Sequence, residues 1–251
     1  MERLDGKRVV VTGGTSGMGE GVARAFPGLG AKVVFWGRNE EAGARIASES
    51  GATFIKANVD SEDDVKAAME RSIEVLGGVD VLVHAAGIAL DCPAEQISFE
   101  DFKRVFETNV YGTFLVNEAV FPHMKDNGGA ILNFTSASAF ICSPNQAHYG
   151  ASKGAVNAWS RSIAKEWMPY NIRVNLIAPC IKTPMYEKHL AQMPPEALEM
   201  TKRSLAGLCL GGDLGDMQED FVPVMAFLAS DSSKFITGQT ISIDGGIMMV
   251  R

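Results

Sequence analysis

The sequence lacks the cysteine and histidine patterns that mark disulfide scaffolds and metal sites. Its 251 residues include four histidines and four cysteines, and they form no CxxC, HExxH or other cluster. The cysteines are Cys92, Cys142, Cys180 and Cys209. Disulfide frameworks belong mainly to small secreted chains, and structural zinc needs closely spaced ligands. We therefore expect reduced thiols and no metal ion.

Long apolar runs and an excess of basic charge are also missing. No apolar run approaches the roughly 18 residues that a membrane-spanning helix needs, and the run that follows the charged first seven residues is too short for a signal peptide. Lysine and arginine total 23 against 30 aspartates and glutamates, for a formal net charge of −7. That balance disfavours a nucleic acid or an anionic membrane as partner. We expect a cytoplasmic protein that binds a small-molecule substrate.

The sequence does contain a regular alternation of apolar, strand-like runs with helical patterns. The predicted strands are Arg8–Thr12, Lys32–Trp36, Thr53–Ala57, Val79–His84, Ala130–Thr135, Arg173–Ala178 and Thr240–Ile243. The predicted helices are Gly17–Leu29, Glu40–Ser50, Ser61–Leu76, Ser98–Lys125, Tyr149–Trp167 and Met217–Ser230. Such alternation is typical of right-handed crossovers between buried parallel strands. It predicts the α/β class, with a single doubly wound Rossmann-type domain over residues 1–251, about seven parallel strands and helices on both faces.

Residues 184–212 depart from this alternation. They contain Pro194 and Pro195 side by side, several methionines and leucines, and no clear strand. Irregular segments of this length within a compact domain are often functional. We expect short helices that form a lid over the substrate site.

The first predicted strand leads into a glycine-rich turn at the start of a helix, where residues 12–19 read TGGTSGMG. Glycines at 13, 17 and 19 let the backbone turn tightly and approach a pyrophosphate closely. The helix N-terminus adds unpaired N–H groups and the positive end of its dipole. Because strand, loop and helix come in the required order, the segment predicts a dinucleotide site.

A second set of residues can carry acid–base chemistry. Tyr149 and Lys153 lie four residues apart on a predicted helix and share a face. A phenol is a poor base at neutral pH, but a nearby ammonium and a positive nicotinamide ring favour the phenolate. Ser136 ends a predicted strand, at the sheet edge where ligands bind, so its hydroxyl can polarise a substrate oxygen. Ser138 and Ser143 are nearby alternatives.

The order of these motifs resembles the short-chain dehydrogenase/reductase family over almost the whole chain. The elements that match are the GxxxGxG loop after Thr12, Asn58-Val59, His84-Ala85-Ala86-Gly87, Asn109, Ser136, Tyr149-Gly150-Ala151-Ser152-Lys153, Arg173-Val174-Asn175, Pro179 with Thr183, and Asp244-Gly245-Gly246. Two departures are His84 and Ala85, which replace asparagines. A third is Cys180, where the family usually has glycine. We interpret Cys180 as a small filler residue, because no adjacent base is evident to activate it.

The resemblance implies an NAD(P)-dependent oxidoreductase acting on an alcohol or a ketone. It assigns catalysis to Asn109, Ser136, Tyr149 and Lys153. It assigns cofactor binding to Gly13, Thr15, Ser16, Gly17, Met18, Gly19, Arg38, Asn58, Val59, Ala86, Gly87, Tyr149, Lys153, Pro179, Ile181 and Thr183. Asn109 lies inside a long predicted helix, where asparagine has low propensity; a purely structural role for it is a helix kink with a bound water. The family role of that residue is a carbonyl that holds a water linking Lys153 to solvent.

Three other readings of the sequence are weaker. A serine hydrolase needs GxSxG at a strand-to-helix turn, which the loop does not provide. His148 is better interpreted as a pocket wall than as a base. A nucleotide sensor without catalysis is disfavoured because Ser136, Tyr149 and Lys153 are all present. A sugar-nucleotide epimerase or dehydratase of the extended type would need a second domain.

Cofactor preference depends on the end of the second strand. An acid there grips the ribose 2′-hydroxyl of NAD in dinucleotide folds. This chain has Gly37 at that place, followed by Arg38, whose guanidinium suits a 2′-phosphate. Thr15 and Ser16 can add hydroxyl donors. NADP(H) is therefore favoured over NAD(H), although Arg38 can also lie in solvent near Glu40 and Glu41.

The lid and the long helices give expectations about substrate and assembly. An apolar, methionine-rich lid favours a bulky secondary alcohol or ketone such as a hydroxysteroid or bile acid; the alternative is a 3-oxoacyl thioester or another small ketone. The lid residues are Met185, Tyr186, His189, Leu190, Met193, Leu198 and Met200, with Lys182, Lys188, Lys202 and Arg203 nearby. The helices carry Phe102, Val105, Phe106, Phe114, Leu115, Trp159 and Ile163, more than one sheet face can cover. The resemblance implies pairing through these helices, as a homodimer or a homotetramer of 222 symmetry.

Overall fold

The computed structural model describes residues 2–141, 143–191 and 193–248, so Cys142 lies outside the described residues. Within them the strands are β1 (Arg8–Thr12), β2 (Lys32–Gly37), β3 (Thr53–Lys56), β4 (Val81–His84), β5 (Gly129–Phe134), β6 (Ile172–Pro179) and β7 (Thr240–Ile243). They form one sheet in the order β3-β2-β1-β4-β5-β6-β7, and every neighbouring pair is parallel. The predicted fold class is confirmed.

Helices connect these strands and cover both faces of the sheet. They are α1 (Gly17–Ala25), α2 (Glu40–Ser50), α3 (Glu62–Leu76), α4 (Phe99–Phe106), α5 (Gly112–Met124), α6 (Ala147–Glu166), α7 (Pro184–Ala191), α8 (Pro195–Ala206) and α9 (Val222–Ala229). Their starts follow local signals. Ser61 accepts a hydrogen bond from the Asp64 amide at 3.2 Å, and Ser98 accepts one from the Asp101 amide at 3.0 Å. These are side-chain caps of exposed helix N–H groups, as the sequence predicts.

The first strand shows why the sheet needs helices on both faces. Val9, Val10 and Val11 are all fully buried, and successive side chains of a strand point to opposite faces. Val9 and Val11 pack in a cluster with residues of α1, α2 and α9. Val10 packs in a second cluster with residues of α3, α5 and α6. Two apolar cores therefore enclose the sheet.

Several predicted boundaries shift in the structure. The first helix ends at Ala25, and residues Pro27–Leu29 form a 3₁₀ turn instead of continuing it. The long predicted helix Ser98–Lys125 is interrupted by a π-helical turn at Glu107–Tyr111. That turn contains Asn109. A second π-helical turn at Met217–Phe221 precedes α9. The bounds of β1 and β7 match the prediction, and the ends of the other strands differ from it by at most two residues.

The segment 184–212 forms short helices, as the sequence predicts. They are α7, α8 and a 3₁₀ turn at Leu210–Gly212. The side chains of Met185, His189 and Lys202 lie outside what the structure describes. Among the helices of the described residues, none combines the length and apolarity that a membrane crossing requires.

Candidate active site

The glycine loop between β1 and α1 has the shape of a phosphate cradle. Gly13 has a positive φ of 68°, and a Cβ atom there would lie 2.8 Å from the backbone nitrogen of Ala86. A Cβ atom on Gly19 would overlap the carbonyl oxygen of Gly13. Gly17 also has a positive φ, of 55°, with open space beside it. Side chains at these positions would close the cradle or strain its backbone, so the loop fits a pyrophosphate.

A cavity of about 120 Å³ continues from this loop along the ends of the neighbouring strands. Eight of the predicted cofactor residues line it: Gly13, Thr15, Ser16, Arg38, Asn58, Val59, Ala86 and Gly87. Trp36, Gly37, Ala57, Ile88 and Thr108 complete the wall. Five separate segments contribute these residues, so the sheet brings the predicted nucleotide-binding residues of these segments together.

Sequence reasoning missed Thr108 as part of this wall. Its hydroxyl donates to the Asp60 carboxylate at 3.2 Å, which ties the π-helical turn to the loop after β3. No local pattern distinguishes Thr108 from other helical threonines. Trp36 belongs to β2, and its indole N–H donates to the Ser72 hydroxyl on α3 at 2.9 Å.

Gly37 and Arg38 occupy the position that decides cofactor preference. A Cβ atom on Gly37 would clash with the Thr15 side chain, so packing favours glycine at this position. Glycine also lacks the acid that grips the ribose 2′-hydroxyl of NAD. Glu40 pairs with Lys56 rather than with Arg38. Within the described residues the Arg38 guanidinium makes no ion pair, and it is exposed at the rim of the nucleotide cavity.

The catalytic constellation forms at the carboxyl end of β5 and the start of α6. Ser136 follows β5 in an extended conformation, and its hydroxyl lies near the Tyr149 phenol and favours the ionised form of that phenol. Ser138 donates to the Gln146 side-chain oxygen at 2.8 Å, and Gln146 in turn donates to Asp91 at 2.8 Å. The Ser138 hydroxyl is thus engaged with Gln146, whereas Ser136 is the serine that affects the Tyr149 phenol.

Burial dominates the electrostatics of the tyrosine–lysine pair. The pKa of the Tyr149 phenol is raised above its usual 10.0, chiefly because the ring is buried, while the Ser136 hydroxyl lowers it. Burial also lowers the pKa of Lys153 to about 8. The predicted lowering of the Tyr149 pKa involves Lys153 together with a positive nicotinamide ring. In the protein alone, loss of solvent outweighs the effect of Ser136 and raises that pKa.

Asn109 is fully buried and clamps the segment after β4. Its side-chain oxygen accepts from the Ile88 amide at 2.8 Å, and its side-chain nitrogen donates to the Ile88 carbonyl at 2.9 Å and to the Ser152 hydroxyl at 3.0 Å. Its backbone carbonyl accepts from the Thr113 hydroxyl at 2.6 Å. Asn109 thus links three elements of the predicted site.

The remaining predicted cofactor residues lie after β6. Pro179 ends that strand, and Ile181 is buried and bridges to Gly215. The Thr183 hydroxyl accepts from the Tyr186 amide at 3.3 Å, so its hydrogen stays available for a carboxamide oxygen. Met18, in the first turn of α1, packs against the core instead of lining the nucleotide cavity.

Two residues that the sequence singled out have defined surroundings. Burial raises the pKa of the Cys180 thiol to about 11, which keeps it protonated and supports its interpretation as a filler residue. Cys92, Cys180 and Cys209 are free thiols. His148 is buried beside Tyr149 with neither ring nitrogen hydrogen-bonded within the described part of the chain. Those residues contain no cluster of three potential metal ligands.

A larger cavity, of about 740 Å³, lies at the opposite edge of the sheet. Its wall includes Lys7, Asp80, Arg173 and Phe235, and none of the predicted site residues. Size alone therefore does not locate the site. Instead, the glycine loop, Ser136 and Tyr149 converge at the carboxyl ends of the strands, which is where ligands of doubly wound sheets bind.

The fold and this constellation define the class of protein. A family model described as enoyl-(acyl carrier protein) reductase matches residues 13–248, which is most of the chain. The chain belongs to the short-chain dehydrogenase/reductase family and is an oxidoreductase of that family.

The chain is similar to proteins with different substrates. The 3-oxoacyl-[acyl-carrier-protein] reductase FabG of Thermotoga maritima is 35% identical, over 98% of this chain and 100% of that protein. The 3beta-hydroxysteroid dehydrogenase 1 of Eggerthella lenta is also 35% identical, over 98% and 95%. The ligand-free structure of Thermoplasma acidophilum aldohexose dehydrogenase matches with a TM-score of 0.86 at 29% identity, over 96% and 93%. These similarities establish the reaction class and leave the substrate open.

Proposed function

We propose that the protein interconverts a secondary alcohol and a ketone with NADP(H) as the hydride carrier. The observation that carries this proposal is the placement of Ser136 and the buried Lys153 beside Tyr149. The Gly13 cradle lies at the same sheet edge. A proton-transfer group and a dinucleotide cradle together are what alcohol oxidation requires.

In the oxidation direction the substrate hydroxyl lies between Ser136 and Tyr149. Tyr149 takes the hydroxyl proton as the carbonyl forms and hydride leaves the same carbon; in reduction it returns that proton. NADP⁺, when bound at the glycine loop, would supply the hydride acceptor and a positive ring that favours the Tyr149 phenolate. Lys153 contributes a second positive charge. Its ammonium is held in place by a hydrogen bond to the Phe134 carbonyl at 2.9 Å.

Turnover separates this proposal from a nucleotide sensor. Purified protein is mixed with NADP(H) or NAD(H) and a panel of alcohols and ketones, and the nicotinamide absorbance is followed. We expect a change that needs both cofactor and substrate and that is lost in Tyr149→Phe. Cofactor binding with no turnover across the panel would contradict catalysis.

We further propose a bulky apolar substrate such as a hydroxysteroid. Support comes from the lid, where Tyr186, Leu190, Met193 and Leu198 are half-buried and adaptable apolar side chains. Lys182 is paired with Asp213 at 2.7 Å, so this cation is less available to an anionic substrate. A relative named as a 3beta-hydroxysteroid dehydrogenase agrees with this choice.

A 3-oxoacyl thioester is the second candidate. Relatives named as 3-oxoacyl-[acyl-carrier-protein] reductases support it, and Lys188 and Arg203 are exposed on the lid helices, where a phosphopantetheine or an acidic carrier would meet them. A panel of steroids, acyl thioesters and aldoses distinguishes the two. A kcat/KM that is highest for steroids supports the first. Activity confined to sugars would contradict both.

A further inference from the structure

His84 stands where the resembled family has asparagine, and it is buried to 1% exposure between two structural elements. It ends β4, directly opposite Thr12 at the end of β1. Its Nδ1 atom lies 2.8 Å from the Thr12 hydroxyl, and its Nε2 atom lies 3.1 Å from the Thr113 hydroxyl on α5. The imidazole therefore connects the start of the glycine loop to the helix that follows Asn109.

The neighbouring hydrogen bonds decide where the imidazole proton is. The Thr113 hydroxyl has one hydrogen, and its shortest contact is the 2.6 Å bond to the Asn109 carbonyl. That hydrogen is therefore used, and Thr113 meets His84 as an acceptor. Nε2 must carry the proton.

The other ring nitrogen is then an acceptor. Burial, assisted by the charge of Lys153 on α6, lowers the pKa of His84 to about 3, so the ring is neutral at physiological pH. Nδ1 accepts the hydrogen of the Thr12 hydroxyl, and the Thr12 oxygen in turn accepts from the Ala86 amide at 3.2 Å. In this series of hydrogen bonds, which runs from the Ala86 amide to the Asn109 carbonyl, every donor has one acceptor.

This chain of hydrogen bonds runs behind the reacting groups. A Cβ atom on Gly87 would lie 3.1 Å from the side-chain oxygen of Asn109 and 3.3 Å from the ammonium nitrogen of Lys153. Residues 84–88 thus lie against both groups, held by His84 at one end and by the Asn109–Ile88 pair at the other. A change at His84 shifts the cofactor loop and the catalytic residues together.

We propose that His84 is a positioning residue: as a neutral imidazole with its proton on Nε2, it ties Thr12 of the cofactor loop to Thr113 and so holds the Asn109 carbonyl and the strap of residues 84–88. An asparagine side chain is shorter and reaches one of the two threonines. This inference deepens the proposed function, on which its catalytic part rests.

The first test reads the tautomer and needs no activity. The chain has four histidines, so the imidazole NMR signals of isotope-labelled protein are few, and His84→Asn assigns the relevant one by its loss. The expected signal is that of a neutral ring with the proton on Nε2, unchanged between pH 8 and about 5. The charged group that acts on the ring is Lys153; Thr12, Asn109 and Thr113 are uncharged. A proton on Nδ1, or a titration near 6.5, would overturn the assignment.

The second test separates positioning from stability. Thr113→Val removes the acceptor at one end while His84 stays, and Thr113→Ser keeps the hydroxyl as the matched control. We expect His84→Asn to weaken cofactor binding about fivefold and to lower kcat per folded molecule about fivefold, the effect of one lost hydrogen bond. Thr113→Val should do so at least as strongly, because it also removes the hydrogen bond to the Asn109 carbonyl. Thr113→Ser should behave as the wild type. Loss of folded protein with unchanged cofactor Kd and kcat would show that His84 is only structural.

These outcomes are distinguishable from failure of the proposed function. If the wild type turns over no substrate, the tautomer and the cofactor Kd are still measurable. If the tautomer is as expected but cofactor affinity is equal in all variants, the positioning role is wrong even if turnover is observed.

Discussion

The ammonium nitrogen of Lys153 lies 5.9 Å from the centre of the Tyr149 ring and donates its hydrogen bond to the Phe134 carbonyl at 2.9 Å. Lys153 is therefore anchored to the end of β5, with its charge near the Tyr149 ring. The Ser136 hydroxyl lies near the phenol and lowers its pKa, against the larger effect of burial. We therefore expect proton transfer to depend on the phenol oxygen itself.

Tyr149→Phe is expected to lower kcat by at least about a hundredfold, because general acid–base groups contribute 10²–10⁴-fold. Cofactor binding should persist, since the glycine loop is untouched. Steady-state kinetics and cofactor titration measure the two effects. Tyr170→Phe is the matched control, because the Tyr170 side chain is exposed and lies away from the active site. More than about a tenth of wild-type kcat in Tyr149→Phe would rule out its role.

Lys153→Met should change how stability depends on pH. Burial lowers the pKa of Lys153 from 10.5 to about 8, so between these values the unfolded chain binds more protons than the folded one. Folding stability then rises with pH in this window. Denaturant unfolding from pH 7 to 10.5 should show that, above about pH 8, the free energy of unfolding of the wild type rises relative to that of Lys153→Met. Parallel curves for the two proteins would contradict this.

Arg38→Leu is expected to reduce kcat/KM for NADP(H) by about tenfold or more, because a charge-assisted hydrogen bond contributes about 1.5–3 kcal/mol. The value for NAD(H) should change little. Arg71→Leu, an exposed arginine on α3, is the control. Wild-type efficiency with NAD(H) equal to or better than that with NADP(H) would refute the preference.

A switch to NAD(H) needs more than an acid at position 37. The side chain of Gly37→Asp would clash with Thr15, so we expect the single variant to lose affinity for both cofactors. Pairing it with Thr15→Gly in an Arg38→Leu background should restore NAD(H) binding. Binding isotherms with both cofactors check this. Unimpaired NADP(H) binding by Gly37→Asp alone would show that the loop adapts to the new side chain.

Assembly through α4, α5 and α6 remains a prediction. Of the apolar residues expected to need a partner, Val105 and Ile163 are instead buried within the chain itself, Ile163 in the second core. Phe102 and Phe114 are 38% and 45% exposed, and Phe114 packs edge-on against Trp159. Phe114→Asp should lower the mass measured by light scattering, because a carboxylate would be buried at the interface.

The matched control for assembly is Val75→Asp, at a similarly exposed position on α3. It should leave the mass of the wild type unchanged. A monomeric wild type at micromolar concentration would end the assembly prediction.

Local signals in the sequence determined the order of strands and helices, the glycine loop and the shared face of Tyr149 and Lys153. These depend on periodicity, on backbone freedom at Gly13 and on helical spacing, which are properties of neighbouring residues. Asn109 also stands out in the sequence, as a residue of low propensity inside a long predicted helix, but the π-helical form of that turn is seen only in the structure.

Tertiary structure alone decided the features that join residues distant in the chain. The clash between position 37 and Thr15, the raised pKa of Tyr149, and the His84 tautomer all result from burial against other elements. Sequence spacing carries no information about which side chains lose solvent together. Loss of solvent is what sets a pKa and makes each buried donor require an acceptor.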